Sequence, residues 1–572
     1  MAGEIVDSAG EISAEDVRVR TPVQKLTAGE YERGRLTRWR WPAAIALAIV
    51  VLFLCYLRLS NTYPDNSDGA DQALQAWDML HGNWLLQGWT IGDVSFYTTE
   101  LPEYIGVELI RGLGPAAVHV AGALTYTLLT LLVALLAKGR ATGREGVVRA
   151  LVASGILLAP QFGSGIHFLL NQPDHLGTQV PLLIIFIVLD RAPRRWYVPV
   201  AVGAMLTWVL ISDRVALFDG ALAIAAVCGI RALWSVARDR KPLTSQRFEF
   251  SLVAAALVSI GVSTLVARAI TRLHGYTMLP MVVGGLARPQ TIPAHVVLTI
   301  DGILNVYGAD FIGISPENAF GPASGGLPMG VAVAVALVHL VGVALALCGV
   351  CLAFRRFFSV GDMIAPMLAT AIVLNLAAYI ATVAPVTLFD TRQILVVLPF
   401  GAVLAGRMLA GPLSRARLKP ALTVVLACYL AALCYGVAQP TVRDSEQAIV
   451  PWLEAHHLST GLGTYTEANL ITLDSGGRVA IRTVSWRITG AVPRDYESKA
   501  SWYDPRISYA NFVVSNTADG NGVSVVPQRD ILALAGPPAH TYHYKTFTVM
   551  VWNKNLLTDL GSPPSSTPGN IP

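Results

Sequence analysis

The chain has 572 residues, 53% of them hydrophobic and only 14% charged. Soluble domains run nearer a quarter charged, so this composition excludes an ordinary soluble assembly and points to a bilayer. A net charge of +4 is too small to mark a nucleic-acid partner.

Residues 1–41 form a polar tail with no secretory cleavage site, ending in Arg33, Arg35, Arg38 and Arg40. About eleven apolar runs follow, near 42–59, 113–137, 147–162, 178–190, 197–212, 215–233, 250–270, 327–354, 363–384, 393–411 and 420–438. Each is read as a helical span, since roughly 18–22 apolar residues cross a hydrocarbon core of about 30 Å. The third to fifth are short or loosely bounded, and Pro181 sits inside the fourth. Basic residues collect in alternate loops: Lys138/Arg140/Arg144, Arg191/Arg194/Arg195, Arg238/Arg240/Lys241, Arg355/Arg356 and Arg415/Arg417/Lys419. With eleven spans, all these loops and the N-terminus are cytoplasmic. Residues 60–112, 163–177, 212–214, 271–326, 385–392 and 439–572 then lie outside. The six cysteines sit in or beside apolar runs, and Cys348-x-x-Cys351 reads as small core residues rather than a redox or metal motif.

The first outer loop, 60–112, carries Asp65, Asp68, Asp71, Asp78, Asp93, Glu100, Glu103 and Glu108 against a single base, Arg111. Few cations outside is what topology demands; acids in this number require a further reason. The stretch from Ser67 has a helix-like apolar pattern (Ala73, Leu74, Trp77, Leu80), with a serine or aspartate as its expected cap. Asp68, or alternatively Asp71, is a candidate general base standing just outside the membrane. Burial against Trp77, Trp84 and Trp89 would tune its pKa. Asn171-Gln172-Pro173-Asp174-His175 offers a further polar contact, with an Asx-type turn as the plainer reading. Asp213-Arg214 reads as a local ion pair, and Arg214 as a weaker anion ligand. Arg392, in Phe389-Asp390-Thr391-Arg392, is an arginine at the outer edge of a late span. It suits a phosphate, or alternatively a snorkelling anchor or a partner for Asp390.

Residues 439–560 read as a compact α/β domain outside the membrane. An amphipathic helix is expected near 448–457 and strands near 479–484, 511–515 and 546–552. Residues 561–572 form a Ser/Pro/Gly-rich tail. The stretch Gly461-x-Gly463-x-Tyr465 is given no chemistry. The fold class expected is thus an all-α polytopic bundle with a small α/β extracytoplasmic domain.

A cytoplasmic N-terminus, one span, then a large acidic outer loop with Asp68 and an acid-x-Pro-x-aromatic element resembles the GT-C class of membrane glycosyltransferases. That element is Glu100-Leu101-Pro102-Glu103-Tyr104; it departs from the class by placing Glu103 where a second proline stands. Residues 389–399 are similar to the start of a late span in the same class. The resemblance implies an inverting hexosyl- or pentosyltransferase. It would move a sugar from a polyprenyl-phosphate donor to an extracytoplasmic glycan, lipid or protein. Asp68 (or Asp71) would be the base, Arg392 and Arg214 the phosphate ligands, and Glu100, Asp174 and His175 contacts to substrate or metal. Asp68, Asp71, Glu100 and Asp174 could converge on a divalent metal, although no ligand spacing requires one. Neither GxxxxGK[ST] nor GxGxxG occurs, which favours a lipid-linked donor over a nucleotide sugar. The alternatives are a transporter or flippase of a lipid-linked glycan, which would want charges within its spans, and a structural subunit of an envelope assembly.

Overall fold

The computed structural model describes residues 28–561 apart from 161–163, 172–173, 239, 241, 280–284, 311–328, 360, 416–418, 488–489 and 518–525. The sequence expectations for residues 1–27, Gln172, Pro173, Lys241, Arg417 and 562–572 fall outside the described residues. Two units divide the chain, Met1–Val51 and Leu52–Pro572. In the first, the described residues form the opening of helix α1 (Ala28–Ser60).

In the second unit the first outer loop folds into α2 (Ser67–Leu80), β1 (Trp89–Ile91) and α3 (Leu101–Arg111). Then come α4 (Ala116–Lys138), α5 (Gly143–Leu157), a short α6 (Ser164–Ile166), α7 (Leu176–Arg191), α8 (Tyr197–Ser212), α9 (Leu222–Ala237) and α10 (Arg247–Arg272). Two segments, His167–Asn171 before α7 and Leu217–Ala221 before α9, are π-helical. After β2 (Thr277–Met278) follow α11 (Ile292–Tyr307), α12 (Met329–Arg355), α13 (Ile364–Ala381), α14 (Val397–Arg415) and α15 (Lys419–Ala438).

Every apolar run read from the sequence coincides with helix. Among the described residues, seven helices are long and apolar enough to cross a membrane, and an eighth span forms if the 3-10 segment Leu388–Ile394 is joined to Val397–Leu413 across a 49° bend. The chain is therefore a multi-pass membrane protein with seven or eight such helices. The remaining expected spans, α5, α7 and α8, have 15, 16 and 16 residues. At about 1.5 Å per residue they fall several ångströms short of a core of about 30 Å. The segment 271–326, expected as an outer loop, also holds the apolar helix α11. Leu257, Val258 and Leu265 of α10 point outward while Leu252 and Ala256 are buried, the pattern of a helix with lipid on one side. Cys348 and Cys351 are exposed on α12, not core residues as expected. Inside the bundle, Phe186 and Phe400 meet edge to face at 5.4 Å.

The C-terminal region carries α16 (Ser445–Ala455), β3 (Thr460–Gly463), α17 (Tyr465–Asp474), β4 (Ala480–Arg487), β5 (Gly490–Pro493), β6 (Ser498–Lys499), β7 (Phe512–Asn516), α18 (Gln528–Ala535), β8 (His540–Tyr544) and β9 (Phe547–Val551). Six strands form one sheet in the order β5-β4-β3-β7-β9-β8, with β3 parallel to both β4 and β7. The Gly461-x-Gly463 stretch is thus the first strand of the βαβ unit β3-α17-β4 and lies inside the sheet. Gly461 is required there: a Cβ would come within 2.5 Å of the Phe512 ring.

This region is joined to the first loop. β6 pairs with β1, and β1 with β2, in a second, three-stranded sheet. Leu470 and Leu473 of α17 share a buried core with Ala70, Leu74 and Leu101. Lys499 Nζ reaches Asp78 at 2.9 Å, and the Trp89 and Trp502 rings meet at 5.0 Å.

Candidate active site

The start of α2 differs from the sequence expectation in one respect that matters. Asn66 caps the helix, its side chain accepting from the Asp68 N–H at 2.8 Å. The Asp68 carboxylate is therefore not the cap, and it turns toward Arg392. Arg392 lies on the 3-10 segment Leu388–Ile394, where Asp390 closes a capping box by accepting from the backbone of Val386 (3.1 Å) and Thr387 (2.7 Å). With Asp390 turned to the backbone, Arg392 Nη1 reaches Asp68 Oδ2 at 3.3 Å and Asp174 Oδ2 at 3.4 Å. Its guanidinium carbon sits 4.2 Å from the centre of the Phe389 ring.

Asp174 also accepts from the Gln72 amide. Burial pushes its pKa up despite the neighbouring Arg392 charge. His175 follows in a left-handed conformation (φ 56°), and its Nδ1 lies 2.8 Å from Asp213 Oδ2. Asp213 further accepts from the Thr178 hydroxyl at 2.8 Å and the Val215 N–H at 2.9 Å. Burial works against charge on both partners, but their mutual attraction wins: His175 is held above its ordinary pKa and Asp213 below. Asp213 thus pairs with His175 rather than with Arg214.

Asp68, Asp71, Asp174, His175 and Arg392, which come from three separate stretches of chain, all line one cavity of about 120 Å³. Two expected site residues do not. Arg214 is exposed and absent from the lining. Glu100 is wholly buried behind the wall, accepting from the Thr178 N–H at 3.2 Å and from the Thr99 hydroxyl. It serves the opening turn of α7 as a borrowed cap, against Gly177, where a Cβ would stand 2.8 Å from it. The tryptophans also differ from expectation, since none lines the cavity. Trp89 is buried and donates to Asp78 at 2.7 Å, Trp77 packs on His81, and Trp84 is 57% exposed.

No family model and no curated protein matches this sequence. Solved structures do. ArnT from Cupriavidus metallidurans, bound to undecaprenyl phosphate, aligns with a TM-score of 0.52 at 11% identity, over 90% of this chain and 98% of that one. The Archaeoglobus fulgidus oligosaccharyltransferase tethered to an acceptor peptide gives 0.45 at 13% identity, over 92% and 75%. The chain has a GT-C-like fold.

Within this GT-C-like chain, the site contains residues that the sequence did not single out. Tyr496 and Glu497, from the turn between β5 and β6, form part of the cavity wall. Glu497 accepts from the Tyr465 hydroxyl, and burial, then the charge of Asp68, push its pKa up to about 8. Gln72 and Gln75 line the wall one and four residues after Asp71, on one stretch of α2. Of eight non-glycine residues with positive φ among the described residues, three (Phe96, His175 and Glu497) line this cavity, and such strain tends to collect at functional sites. Local sequence carries no signal for Glu497, because only tertiary pairing of β6 with β1 delivers it. Among the described residues no three His, Cys, Asp or Glu side chains have a geometry able to hold a metal ion.

Proposed function

We propose that this protein is an inverting membrane glycosyltransferase that moves a sugar from a polyprenyl-phosphate donor to an acceptor outside the cytoplasm. The reading takes eleven spans, a cytoplasmic N-terminus and an extracytoplasmic domain at 439–560, as the loop charges indicate. The observation that carries it is the juxtaposition of a carboxylate and an arginine, Asp68 and Arg392, in one cavity.

Arg392 holds the donor's phosphate, and Asp68 takes the proton from the acceptor hydroxyl. The acceptor oxygen bonds to the anomeric carbon as the bond from that carbon to the phosphate oxygen breaks. The polyprenyl phosphate leaves with the electron pair, and Arg392 stabilises its added charge. Arg392 pairs with Asp68 and Asp174 in the structure. An arriving phosphate competes for the guanidinium and releases Asp68 to act as base, so donor binding itself arms the site. Asp68 is favoured over Asp71 because Asp68 is the carboxylate that lies against Arg392, the proposed phosphate ligand. Arg214 is left for a contact with donor at the rim. The fold's likeness to ArnT, whose solved form holds undecaprenyl phosphate, supports a lipid-linked donor.

The test is Asp68→Asn in membranes supplied with labelled polyprenyl-phosphate mannose, glucose or arabinose. Transfer by the wild type and a loss of about 10²–10⁴ in the variant is expected. Undiminished transfer by the variant rejects the base assignment.

A further inference from the structure

The inner wall of the cavity has an oddity that neither the proposed base nor the proposed phosphate ligand uses. Asp71 is 1% exposed and Gln72 is 4% exposed, and both line the cavity. Yet Asp71 Oδ1 and Gln72 Oε1 have no hydrogen-bond partner among the described residues. Their other atoms are engaged: Gln75 donates to Asp71 Oδ2, and Gln72 Nε2 donates to Asp174. The orientation of Gln72 follows from that second bond. The Asp174 carboxyl accepts from Arg392 at 3.4 Å and from the Gln72 amide nitrogen, so the Gln72 amide oxygen is the atom left unpaired. Leaving a buried acceptor unpaired is costly. Here two adjacent residues of α2 do so in the same wall, and each asks for a hydrogen-bond partner from outside the chain.

We propose that Asp71 and Gln72 form a hydroxyl-reading subsite that grips the ring of the sugar. The proposal rests on the transferase reading and adds to it the residues that choose the sugar. The chemistry separates two parts of the site. A phosphate offers only acceptors at neutral pH and finds its donor in Arg392. A sugar ring offers several hydroxyls close together, each able to donate or accept, which suits two unpaired oxygens on consecutive residues. A metal ion is a poor occupant, since no three ligands converge among the described residues. Glu497, Tyr496 and Gln75 complete the surroundings, with Glu497 held by Tyr465 and Arg494 lying 5.0 Å from the centre of the Tyr496 ring. Asp71 and Gln72 therefore act on specificity and affinity, and Asp68 on the rate of the chemical step.

The experiment is saturation-transfer NMR on the full chain in lipid nanodiscs. The probes are methyl α-mannopyranoside, methyl α-glucopyranoside and methyl α-arabinofuranoside. The wild type is expected to give a signal with at least one probe. Asp71→Asn and Gln72→Met, both close in shape to the native residue, should each reduce it about tenfold, as loss of a hydrogen bond to a buried polar group would. Thermal melting of each variant checks folding, and if Asp71→Asn does not fold, Gln72→Met decides alone. No signal with any probe, or an undiminished signal in folded variants, overturns the proposal. Sugar transfer from the matching polyprenyl phosphates is measured in parallel. Binding that depends on these residues without transfer sinks the transferase reading and leaves the subsite standing. Transfer with unaltered binding does the reverse.

Discussion

Arg392 Nη1 lies 3.3 Å from Asp68 Oδ2, across 324 residues of sequence. The pair joins the first turn of α2 to a 3-10 turn at the head of a late span, and Asp174 completes it from a third segment. A guanidinium between two carboxylates is a bistable arrangement when a competing anion is available. Its consequences can be measured separately from transfer.

Arg392→Ala removes the counter-charge from Asp68 and from Asp174, whose side chain is only 4% exposed. A loss on the order of 2 kcal/mol in stability is expected, read as a lower melting temperature in nanodiscs. Arg392→Lys should restore most of that stability. Lysine supplies a point charge in place of a planar fork, so transfer should remain about tenfold or more below wild type. Equal rescue of stability and transfer by lysine would argue against phosphate gripping.

The His175–Asp213 pair sets a pH window. His175 is raised in the folded state, so its stabilisation is complete below its unfolded pKa of about 6.5 and is lost as pH rises through the folded value. Asp213 is lowered, so its share is complete above its unfolded pKa of about 3.9 and is lost as pH falls through the folded value. Their joint contribution is greatest between about pH 4 and 6.5. Melting temperature against pH should show the alkaline decline reduced in Asp213→Asn, and an unaltered decline would discount the pair.

Glu497 has the opposite sign for a carboxyl. Its folded pKa of about 8 lies above the unfolded value, so the folded chain holds a proton that the unfolded chain releases between about pH 4.3 and 8. Folding stability therefore falls with rising pH across that interval. Glu497→Gln removes the liability. The variant should gain on the wild type in melting temperature from pH 5 to pH 8, and a constant difference over that range would exclude the linkage.

Gly122 of α4 packs against the π-helical segment before α7. A Cβ there would stand 1.9 Å from the Leu170 carbonyl oxygen, a backbone atom that cannot swing away. Gly122→Ala should cost about 1–3 kcal/mol and displace Asn171 and its neighbours. The check is melting temperature together with donor transfer, both of which should fall. Retention of both would mean that α4 and the π segment adjust freely.

Much of this molecule was written locally. Apolar run length placed all eleven helical segments, because a bilayer demands long, apolar, internally bonded helices and sequence cannot conceal them. Asp68, Asp71, Asp174, His175 and Arg392 were legible as acids, an imidazole and a cation where loop charge alone did not require them. The strands near 480, 512 and 547 were legible from their apolar character, whereas β3, short and glycine-rich, was not. Span count was less secure, since α5, α7 and α8, already short as apolar runs, have only 15, 16 and 16 residues. What tertiary structure alone decided was partnership. Asp213 took His175 and left Arg214 exposed; Glu100 went to the backbone of α7; Asn66 relieved Asp68 of capping; and the pairing of β6 with β1 carried Glu497 into the cavity. The physical reason is that a side chain's type is local, but its partner depends on which of several donors the packed backbone brings within about 3 Å. No periodicity along the chain encodes that distance.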